Sequence, residues 1–354
     1  MRRLALVCTA VTIWLATAAA SAAPRYAVTI LPLLPTGISN KGHIVGTWTR
    51  PHSKVTTGVL YRNGKVTDLD PKDIFSTPDV PYGRKGLMPT AVNDRDEIVG
   101  YRVTSGAVTA EHPFFWARGK IRGLDGTGGW HGGEALDLNN KGQIAGYTDT
   151  GNSEDQGDDA LYWPSAGVIA KNLGEKMKWR HSDARAINNR GAVVGYWIDT
   201  EHVRHPYLLS NGHVTDLGRV SPDCKTNNYA VAVSDAQQVV GYCCDDKTMT
   251  SYVFLWQNGR IANLGLMDGR SATPYGINNH GQIVGRAGDS AFLWTDGRFW
   301  DLNDLLSHKS GIAIQDALAI NDRGEIVAMG IWKGKEAGFL LRPVRAAALK
   351  TKCL

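Results

Sequence analysis

One short motif recurs seven times along this chain of 354 residues, and the repetition constrains the fold more than any other feature. Each copy joins a small or apolar stretch to Asn or Ser, then a turn, then a second apolar stretch. The copies occupy residues 37–46, 91–100, 137–146, 186–195, 232–241, 276–285 and 319–328. Their last residues are 54, 46, 49, 46, 44 and 43 positions apart, which indicates stacked or radial repeats of one supersecondary unit.

Each repeat contains four short strand signals in a fixed order. In the fourth repeat, residues 188–191 (Asn-Asn-Arg-Gly) favour a type I turn with a glycine bulge between the first two strands. Asn211-Gly212 is a two-residue hairpin turn between the third and fourth strands. Tight turns of this kind recur in several repeats, at Asn63-Gly64, Asn258-Gly259 and Asp296-Gly297. Four-stranded antiparallel meanders of this length are typical of propeller blades.

The two ends of the chain indicate a closed ring. The seventh repeat has a third strand at residues 339–341, but Pro343 and a basic tail follow in place of a fourth strand. Residues 28–31, ahead of the first motif, resemble residues 66–69 and supply the missing strand. We therefore predict an all-β fold, a seven-bladed β-propeller of four-stranded antiparallel blades whose ring is closed by the N-terminal strand. Such closure removes the exposed edges of an open array.

Residues 1–22 are expected to be a secretory signal peptide rather than structure. Arg2 and Arg3 precede an apolar run that ends at a small-residue cleavage site before Ala23. We expect one propeller over residues 23–344, followed by a basic C-terminal tail over residues 345–354. No other segment is long and apolar enough to cross a membrane. The predicted location is extracytoplasmic, either secreted or periplasmic, and the predicted state is a monomer.

Charge argues against a nucleic-acid partner. Without residues 1–22 the chain has 37 Lys and Arg against 34 Asp and Glu, a net charge of +3. Nucleic-acid domains usually show a stronger basic excess with stacking aromatic residues on one face. An export signal makes such a partner less probable still.

Four cysteines remain after the signal, namely Cys224, Cys243, Cys244 and Cys353. Export permits disulfides. Folding the fifth hairpin about residues 234–237 brings Cys224 opposite Cys243 and Cys244. We predict a bridge from Cys224 to one of this pair, with Cys244 the favoured partner and a stabilisation of about 3 kcal/mol.

The repeated elements resemble the HAF-repeat family, probable extracellular repeat proteins of bacteria. The motif I-N-x-x-G-x-I-V-G is followed by F-L-W-x-x-G at residues 254–259 and 292–297, and the name-giving His position is filled at His112 and His205. The resemblance spans residues 26–343. It departs from the pattern where Ser39 and Ser234 replace Asn and where Asp96 and Gln237 replace Gly. The family implies an exported repeat protein and assigns no catalytic residue.

The chain topology predicts where a localised function would lie. The turns after the first and third strands share one end of every blade, and the long, variable connections share the other. Variable loops on a rigid scaffold are the usual carriers of binding sites. The longest connection spans residues 71–89 and contains Tyr82 and Arg84, which suggests a lid or binding loop. A tolerated insertion is the alternative.

Two further loops at that end place an aromatic residue outside the repeated core positions. Trp130 is followed by His131, and Trp179 by Arg180 and His181. These residues are candidates for stacking on a sugar or contacting a protein. Local packing of the loops is the alternative for both.

Charged turns and loops give two weaker candidates. Calcium favours oxygen ligands, and the loop at residues 149–159 contains Asp149, Glu154, Asp155, Asp158 and Asp159. The spacing does not follow the helix-loop-helix calcium pattern, and a solvated acidic loop is the alternative. At the tight-turn end, a ring of turn residues is mostly basic and could attract an anion. Duplication of one exposed turn residue would produce the same ring. No other cofactor is indicated.

No enzyme signature is present: the sequence has no nucleophile-elbow, zinc-peptidase or clustered Cys/His motif. No catalytic residue is assigned. We expect a noncatalytic binding or interaction scaffold with a glycan or protein ligand on the long-loop face. The alternatives are a propeller hydrolase or lactonase with its site at the axial mouth, since such sites draw single residues from separate blades, and a purely structural envelope protein.

Overall fold

The computed structural model describes residues 23–50, 56–72, 86–104, 110–124, 132–149, 158–179, 181–307 and 311–344. Within these residues the chain forms 28 β-strands and two short helices, arranged as seven four-stranded antiparallel sheets. The sheets are the blades of a seven-bladed β-propeller, as predicted. The expected signal peptide (residues 1–22) and basic tail (345–354) lie outside the described residues, and both stay predictions.

Strand β1 (Tyr26–Leu31) comes first and belongs to the last blade. Blade 1 contains β2 (Leu34–Ile38), β3 (Ile44–Thr49), β4 (Thr56–Arg62) and β5 (Lys65–Asp68). Blade 2 contains β6 (Leu87–Val92), β7 (Ile98–Thr104), β8 (Ala110–Ala117) and β9 (Lys120–Gly123). Blade 3 contains β10 (Gly133–Leu138), β11 (Ile144–Asp149), β12 (Asp158–Trp163) and β13 (Lys171–Asn172), and helix α1 (Leu173–Met177) follows it.

Blade 4 contains β14 (His181–Ile187), β15 (Val193–Ile198), β16 (Arg204–Ser210) and β17 (His213–Asp216). Blade 5 contains β18 (Asn227–Val233), β19 (Val239–Cys244), β20 (Ser251–Gln257) and β21 (Arg260–Gly265). Blade 6 contains β22 (Ala272–Ile277), β23 (Ile283–Ala287), β24 (Ser290–Thr295) and β25 (Arg298–Asp301), and helix α2 (Leu302–Leu305) follows it. Blade 7 contains β26 (Ile312–Ile320), β27 (Ile326–Trp332), β28 (Lys335–Pro343) and β1.

The N-terminal strand closes the ring. Strand β1 pairs antiparallel with β28, with Val28 opposite Leu341, and it is the outermost strand of blade 7. Tyr26 at its start is buried among residues of blades 6 and 7. The predicted clasp is therefore confirmed. Within the described residues no helix has both the length and the apolar character to span a membrane.

The repeated turns have the geometry that their residues favour. In the motif turn, glycine takes a left-handed conformation, with φ of 91° at Gly191. Asp96 and Gln237, which replace this glycine in blades 2 and 5, adopt the same conformation with φ of 60° and 58°. At the second tight turn, Asn211 and Gly212 both have positive φ, which identifies a type I′ hairpin.

Every first strand carries a β-bulge at the same place, two residues before its last apolar residue. A bulge inserts one unpaired residue and redirects its side chain. The bulged residues are Thr36, Thr90, Leu136, Arg185, Val231, Tyr275 and Leu318, and all seven line the axial channel. The propeller therefore points one side chain per blade toward its axis.

Apolar residues fill the spaces between neighbouring blades. One cluster joins blades 4 and 5 through residues such as Val194, Ala230 and Phe254, and equivalent clusters lie between the other blades. Trp163 is fully buried, and Trp116 and Trp256 are nearly so, at one repeated position. Interblade packing thus explains the recurring tryptophans.

A disulfide joins Cys224 to Cys243, so the favoured partner Cys244 was wrong and the other member of the predicted pair is correct. Successive side chains of a strand point to opposite faces. Cys243 lies on the buried face of β19, opposite Asn228, whereas Cys244 lies opposite Asn227 on the other face. Cys244 is a free, half-buried thiol, and Cys353 lies outside the described residues.

Candidate functional site

The axial channel has two mouths that the chain builds differently. The turn between the first and second strands of each blade lies at one mouth, which we call the turn end. Residues of all seven blades line it around a cavity of about 190 Å³. The connections between second and third strands and between consecutive blades lie at the opposite mouth, the loop end.

An asparagine in the motif joins each of five blades to the next at the turn end. The buried Asn139 donates from Nδ2 to the Asn188 carbonyl at 2.9 Å, and its Oδ1 accepts from two N–H groups of its own turn. The same bond to the next blade is made by Asn93, Asn188, Asn278 and Asn321. Ser39 and Ser234 replace this asparagine in blades 1 and 5, and their hydroxyls accept only from their own turns within the described residues. We call the five asparagines the latches.

A second belt of side chains closes the turn end. Its members are Asn40, Asp94, Asn140, Asn189, Asp235, Asn279 and Asp322. The Asp322 N–H donates to Asn40 Oδ1 at 2.8 Å, and Asn40 Nδ2 donates back to Asp322 Oδ2 at 2.7 Å. The carboxylates of Asp94 and Asp235 likewise accept from amide N–H groups on both sides. Because every carboxylate oxygen of this belt is engaged, the turn end is a hydrogen-bonded closure of the ring.

The predicted basic ring at this end is partly neutralised. Arg95 Nη2 lies 2.6 Å from Glu97 Oε2, and Arg323 Nη2 lies 2.5 Å from Glu325 Oε2. Each glutamate also accepts from the latch asparagine of its own blade. These ion pairs support the latches, so a structural role explains two members of the ring.

At one position near the loop end, the seven repeats no longer share a residue type. Four residues before the last apolar residue of each first strand, the seven blades carry Leu34, Met88, Glu134, Asp183, Tyr229, Thr273 and Asp316. Their partners on the second strands are Thr47, Tyr101, Tyr147, Tyr196, Tyr242, Arg286 and Met329. Blades 1 and 2 present aliphatic residues on the first strand, whereas blades 3 to 5 pair a carboxylate or tyrosine with a tyrosine. Polar and aromatic residues therefore occupy this first-strand position from blade 3 to blade 7, and the aliphatic residues are confined to blades 1 and 2.

Three tyrosines and two arginines pack together where blades 4 and 5 meet at this end. This tyrosine cluster consists of Tyr196, Tyr229, Tyr242, Arg185 and Arg204. The Tyr196 and Tyr229 rings meet edge to face at 5.2 Å, and Tyr229 and Tyr242 stack at 4.8 Å. The Arg204 Cζ lies 5.7 Å and 5.3 Å from the Tyr196 and Tyr229 ring centroids. Cation–π attraction therefore supplements the ring contacts.

Asp183 is the buried charge beside the tyrosine cluster. Its side chain is 2% exposed, and its Oδ2 lies 2.9 Å from Nε of the bulged residue Arg185. Burial raises the pKa of the Asp183 carboxyl, and the Arg185 charge opposes that rise. Its Oδ1 is buried without a hydrogen-bond partner in the described part of the chain. A buried carboxylate oxygen without a donor is costly, so this atom favours a ligand that donates a hydrogen bond.

Blade 3 contributes a second acid at the same position. Burial raises the pKa of Glu134 to about 8, with a further increase from its hydrogen bond to Glu111 of blade 2. A hydrogen bond from the Tyr147 hydroxyl opposes the increase. A carboxyl with this pKa is largely protonated at neutral pH, and the hydrogen bond to Glu111 uses its single O–H.

Blades 6 and 7 add a charged pair on the far side of the channel. The Tyr275 hydroxyl, at the bulged position of blade 6, lies 3.4 Å from Asp316 Oδ1. Arg286 Nη1 lies 3.3 Å from Asp316 Oδ2. These groups extend the polar part of the loop end from blade 3 to blade 7.

A cavity of about 250 Å³ lies over the loop end of blade 4. Its lining consists of Asp158, His181, Ser182, Tyr196, Ile198, His202 and Arg204. We call it the blade 4 cavity. His181, a predicted ligand residue, is the first residue of β14 and thus lies beside two residues of the tyrosine cluster. The structure joins this prediction to a site that the sequence did not indicate.

Trp179, the other described aromatic candidate, is half-buried. Its ring lies parallel to Trp197 at 6.0 Å and contacts the Tyr207 ring at 4.8 Å. Trp197 in turn stacks on His205 at 4.1 Å. Local packing accounts for these contacts, and a ligand role for Trp179 stays a prediction.

Several predicted residues lie outside the described part of the chain: Tyr82, Arg84, Trp130, His131, Glu154, Asp155 and Arg180. Of the acidic loop, Asp149 ends β11, and Asp158 and Asp159 begin β12. Asp159 Oδ2 accepts from Asn172 Nδ2 at 2.8 Å. The described residues include no group of three His, Cys, Asp or Glu side chains that could hold a metal.

Five residues near the blade 4 cavity were not predicted from the sequence, because variable loops were the expected carriers of a site and these residues lie on strands. They are Asp183, Arg185, Tyr196, Arg204 and Tyr229. A signal was nonetheless present. The seven repeats match at the turn and the apolar positions around it, and they diverge four residues before the last apolar residue. A position at which otherwise similar repeats carry different residues is not required by the fold, so it is a candidate position for functional residues.

Comparisons with known proteins agree with the fold. A family model described as "Protein of unknown function (DUF3466)" matches residues 134–339. A search of curated protein sequences gives no significant match. The β-propeller domain of the Trilobed protease from Pyrococcus furiosus has a TM-score of 0.52 at 11% identity, covering 89% of this chain and 97% of that chain. That domain is described as having an open velcro topology, whereas β1 closes the ring here.

Two other solved structures are less similar. YCF48 bound to D1 peptide has a TM-score of 0.48 at 11% identity and covers 91% of this chain and 96% of that chain. The six-bladed fucose-binding lectin of Aleuria aurantia has a TM-score of 0.36 at 12% identity and covers 68% of this chain and 77% of that chain. At these identities the likeness concerns the fold and not the activity.

Proposed function

We propose that this chain, which belongs to the family described as "Protein of unknown function (DUF3466)", is a noncatalytic binding scaffold that holds a glycan at the loop end of its channel. One observation carries the proposal. At the first-strand position of Glu134, Asp183 and Tyr229, the seven-fold sequence repeat is lost. Two carboxyl groups and a tyrosine stand there, each paired with a tyrosine of the second strand.

The chemistry of this set suits a polyhydroxylated ligand. Sugar rings present C–H faces that pack on aromatic rings, and the tyrosine cluster groups three such rings within contact of one another. Sugar hydroxyls both donate and accept hydrogen bonds. The buried Asp183 Oδ1 can accept a hydrogen bond from them.

An extracytoplasmic location forms part of the proposal. The signal-like residues 1–22, the HAF-repeat resemblance and the Cys224–Cys243 disulfide all support export into an oxidising compartment. The proposed partner is a glycan of that compartment. A protein ligand and a purely structural envelope role are the other outcomes of the test below.

A binding test uses two variants of one tyrosine. Purified full-length protein is applied to a glycan array, and the affinity of the best ligand is measured by calorimetry. Tyr229→Leu removes the aromatic face and should weaken binding about tenfold or more, whereas Tyr229→Phe keeps the ring and should retain most of the affinity. Lys141→Ala, at the exposed turn end, serves as the control and should bind normally. Absence of glycan binding in the wild type, or equal affinities for Tyr229→Leu and wild type, would reject the site.

A hydrolase is the second candidate function, and one pair of residues favours it. The hydrogen-bonded acids Glu111 and Glu134, with the pKa of Glu134 raised to about 8, resemble a proton donor beside a carboxylate. A broad glycosidase and esterase panel tests this alternative. Turnover that Glu134→Gln abolishes without loss of folding would replace the noncatalytic proposal.

A further inference from the structure

The blade 4 cavity contains one group with a specific ligand preference, the Arg204 guanidinium. The Arg204 side chain is only partly exposed, and its position is fixed from three directions. Its Nη1 donates to Asn227 Oδ1 of blade 5 at 2.9 Å, and its plane lies near the Tyr196 and Tyr229 rings. The Arg204 backbone N–H also donates to the Thr226 carbonyl at 2.8 Å. A guanidinium held in this way is preorganised and loses little entropy when a ligand binds.

One donor of this guanidinium, the Nε–H, makes no hydrogen bond within the described residues. Arg204 Nε is buried and has no acceptor among the residues that the structure describes. An arginine donor in that state favours an acceptor supplied from outside the protein, because a buried N–H without a partner costs free energy. The planar edge of a guanidinium matches the two oxygens of a carboxylate.

The rest of the cavity limits the charge of the ligand. His181 and His202 are on the same lining as Arg204, and each imidazole can donate a hydrogen bond to an acceptor. Asp158 lines the cavity too, and the buried Asp183 lies on the Tyr196 side of blade 4. These two carboxylates disfavour a doubly charged group such as a phosphate monoester. A single negative charge on a ligand that also offers hydroxyl groups fits the combination better.

We infer that the blade 4 cavity binds the carboxylate of an acidic sugar, with Arg204 as the residue that determines this specificity. The inference rests on the proposed glycan-binding function and names the class of glycan, a uronic-acid-containing saccharide. The tyrosine cluster would hold the sugar rings, and the Nε–H of Arg204 would donate a hydrogen bond to the carboxylate.

The test compares matched ligands on the full-length protein. One ligand is an oligouronate, the second is the same oligosaccharide with its carboxyl groups reduced to alcohols, and the third is a sulfated analogue of the neutral sugar. The wild type should bind the oligouronate at least about tenfold more tightly than the reduced ligand. Arg204→Gln should remove that preference while keeping the weaker affinity for the reduced ligand, and Arg204→Lys should retain only part of it. Arg260→Gln, an exposed arginine at the turn end, is the matched control and should keep the full preference.

The outcomes separate the two proposals. Equal affinity of the wild type for the oligouronate and the reduced sugar, or tighter binding of the sulfated ligand, overturns the carboxylate inference and leaves glycan binding in place. No affinity for any saccharide overturns both. Thermal melts of Arg204→Gln confirm that it is folded. If it is not, the wild-type comparison of the three ligands still decides the inference.

Discussion

The turn end and the loop end are opposite ends of the same seven blades, yet the residues of the sequence repeat are kept more strictly at the turn end than at the loop end. At the turn end, five of seven blades use the same latch asparagine, and the outer belt is Asn or Asp in every blade. At the loop end, the first-strand position ranges from Leu34 to Asp183 and Tyr229. The comparison shows that the chain maintains its ring at one mouth and varies its chemistry at the other.

The boundary between the two regions is the repeated bulge. On the turn side of it, backbone and amide groups satisfy one another across blades, so a change in one blade disturbs its neighbour. On the loop side, the contacts between blades are made by side chains that differ from blade to blade, such as the Arg204–Asn227 hydrogen bond and the Arg286–Asp316 ion pair. Functional residues can therefore differ between blades without weakening the closure.

The largest effect is expected from breaking a latch. Asn139→Ala removes the buried bond to the Asn188 carbonyl at 2.9 Å and leaves two part-buried N–H groups of its own turn without this acceptor. We expect a loss of about 3–4 kcal/mol in the free energy of unfolding. Urea denaturation measures it, with the exposed loop-end variant Glu201→Ala as the control at under about 1 kcal/mol. Equal losses for the two variants would contradict the division between a structural and a functional mouth.

The second effect tests the loop end, where one covalent bond supports blade 5. The double variant Cys224→Ser/Cys243→Ser removes the disulfide and should lower the free energy of unfolding by about 3 kcal/mol, because the unfolded chain gains freedom. Guanidinium denaturation with and without a reductant measures it. Cys244→Ser is the matched control and should change stability by less than about 0.5 kcal/mol. A larger loss in the control would mean that Cys244 takes part in the bridge.

The fold was predictable from the sequence because each blade repeats the residues that specify it. The positive-φ glycine, the latch asparagine and the Asn-Gly turn are local signals, and the missing fourth strand of the seventh blade follows from counting. The disulfide partner was not predictable in the same way. Cys243 and Cys244 are adjacent, and only the face of β19 that meets the core distinguishes them.

The candidate site was predictable only in part. The sequence proposed His181 as a ligand residue from its neighbours, and that role stays a prediction. Arg204 and Tyr229 are far apart in the chain and meet only because blades 4 and 5 pack side by side. Contacts between blades depend on the three-dimensional ring, and one sequence does not reveal them. The position at which the repeats diverge was the available indication.

The third prediction concerns Asp137, the one acid on the ring of small residues that six other blades fill with Gly or Ala. Burial raises the pKa of Asp137 to about 7, although hydrogen bonds from the Ile187 and Leu138 N–H groups oppose the rise. A carboxyl whose folded pKa exceeds its unfolded value contributes most below the unfolded pKa and loses that contribution as pH rises through the folded value.

Thermal melts should therefore show a lower Tm for the wild type as pH rises from about 5 to about 9. Glu134 adds to the same trend, since its pKa is raised to about 8. Asp137→Asn removes the charge, so it should flatten the profile, although its NH2 group cannot accept from one of the two backbone N–H groups that the carboxyl oxygens bond. Parallel profiles for the variant and the wild type would show that the Asp137 carboxyl does not resist ionisation in the channel.

The smallest effect is a gain in stability at the turn end. Ser39 of blade 1 occupies the latch position, and within the described residues it makes no bond to blade 2, whereas Asn321 of blade 7 donates to the Ser39 carbonyl at 3.0 Å. Ser39→Asn should add the missing donor to the Asn93 carbonyl, as Asn93 does for Asn139 at 3.0 Å. One buried hydrogen bond is worth about 1 kcal/mol, so the expected gain in the free energy of unfolding is of that size. Ser39→Ala separates the new bond from mere loss of the hydroxyl and should be destabilising by a similar amount, because the His43 N–H then loses its acceptor at 3.3 Å. If Ser39→Asn also lowers stability, the turn of blade 1 differs from the other turns in shape, and the latch is not transferable between blades.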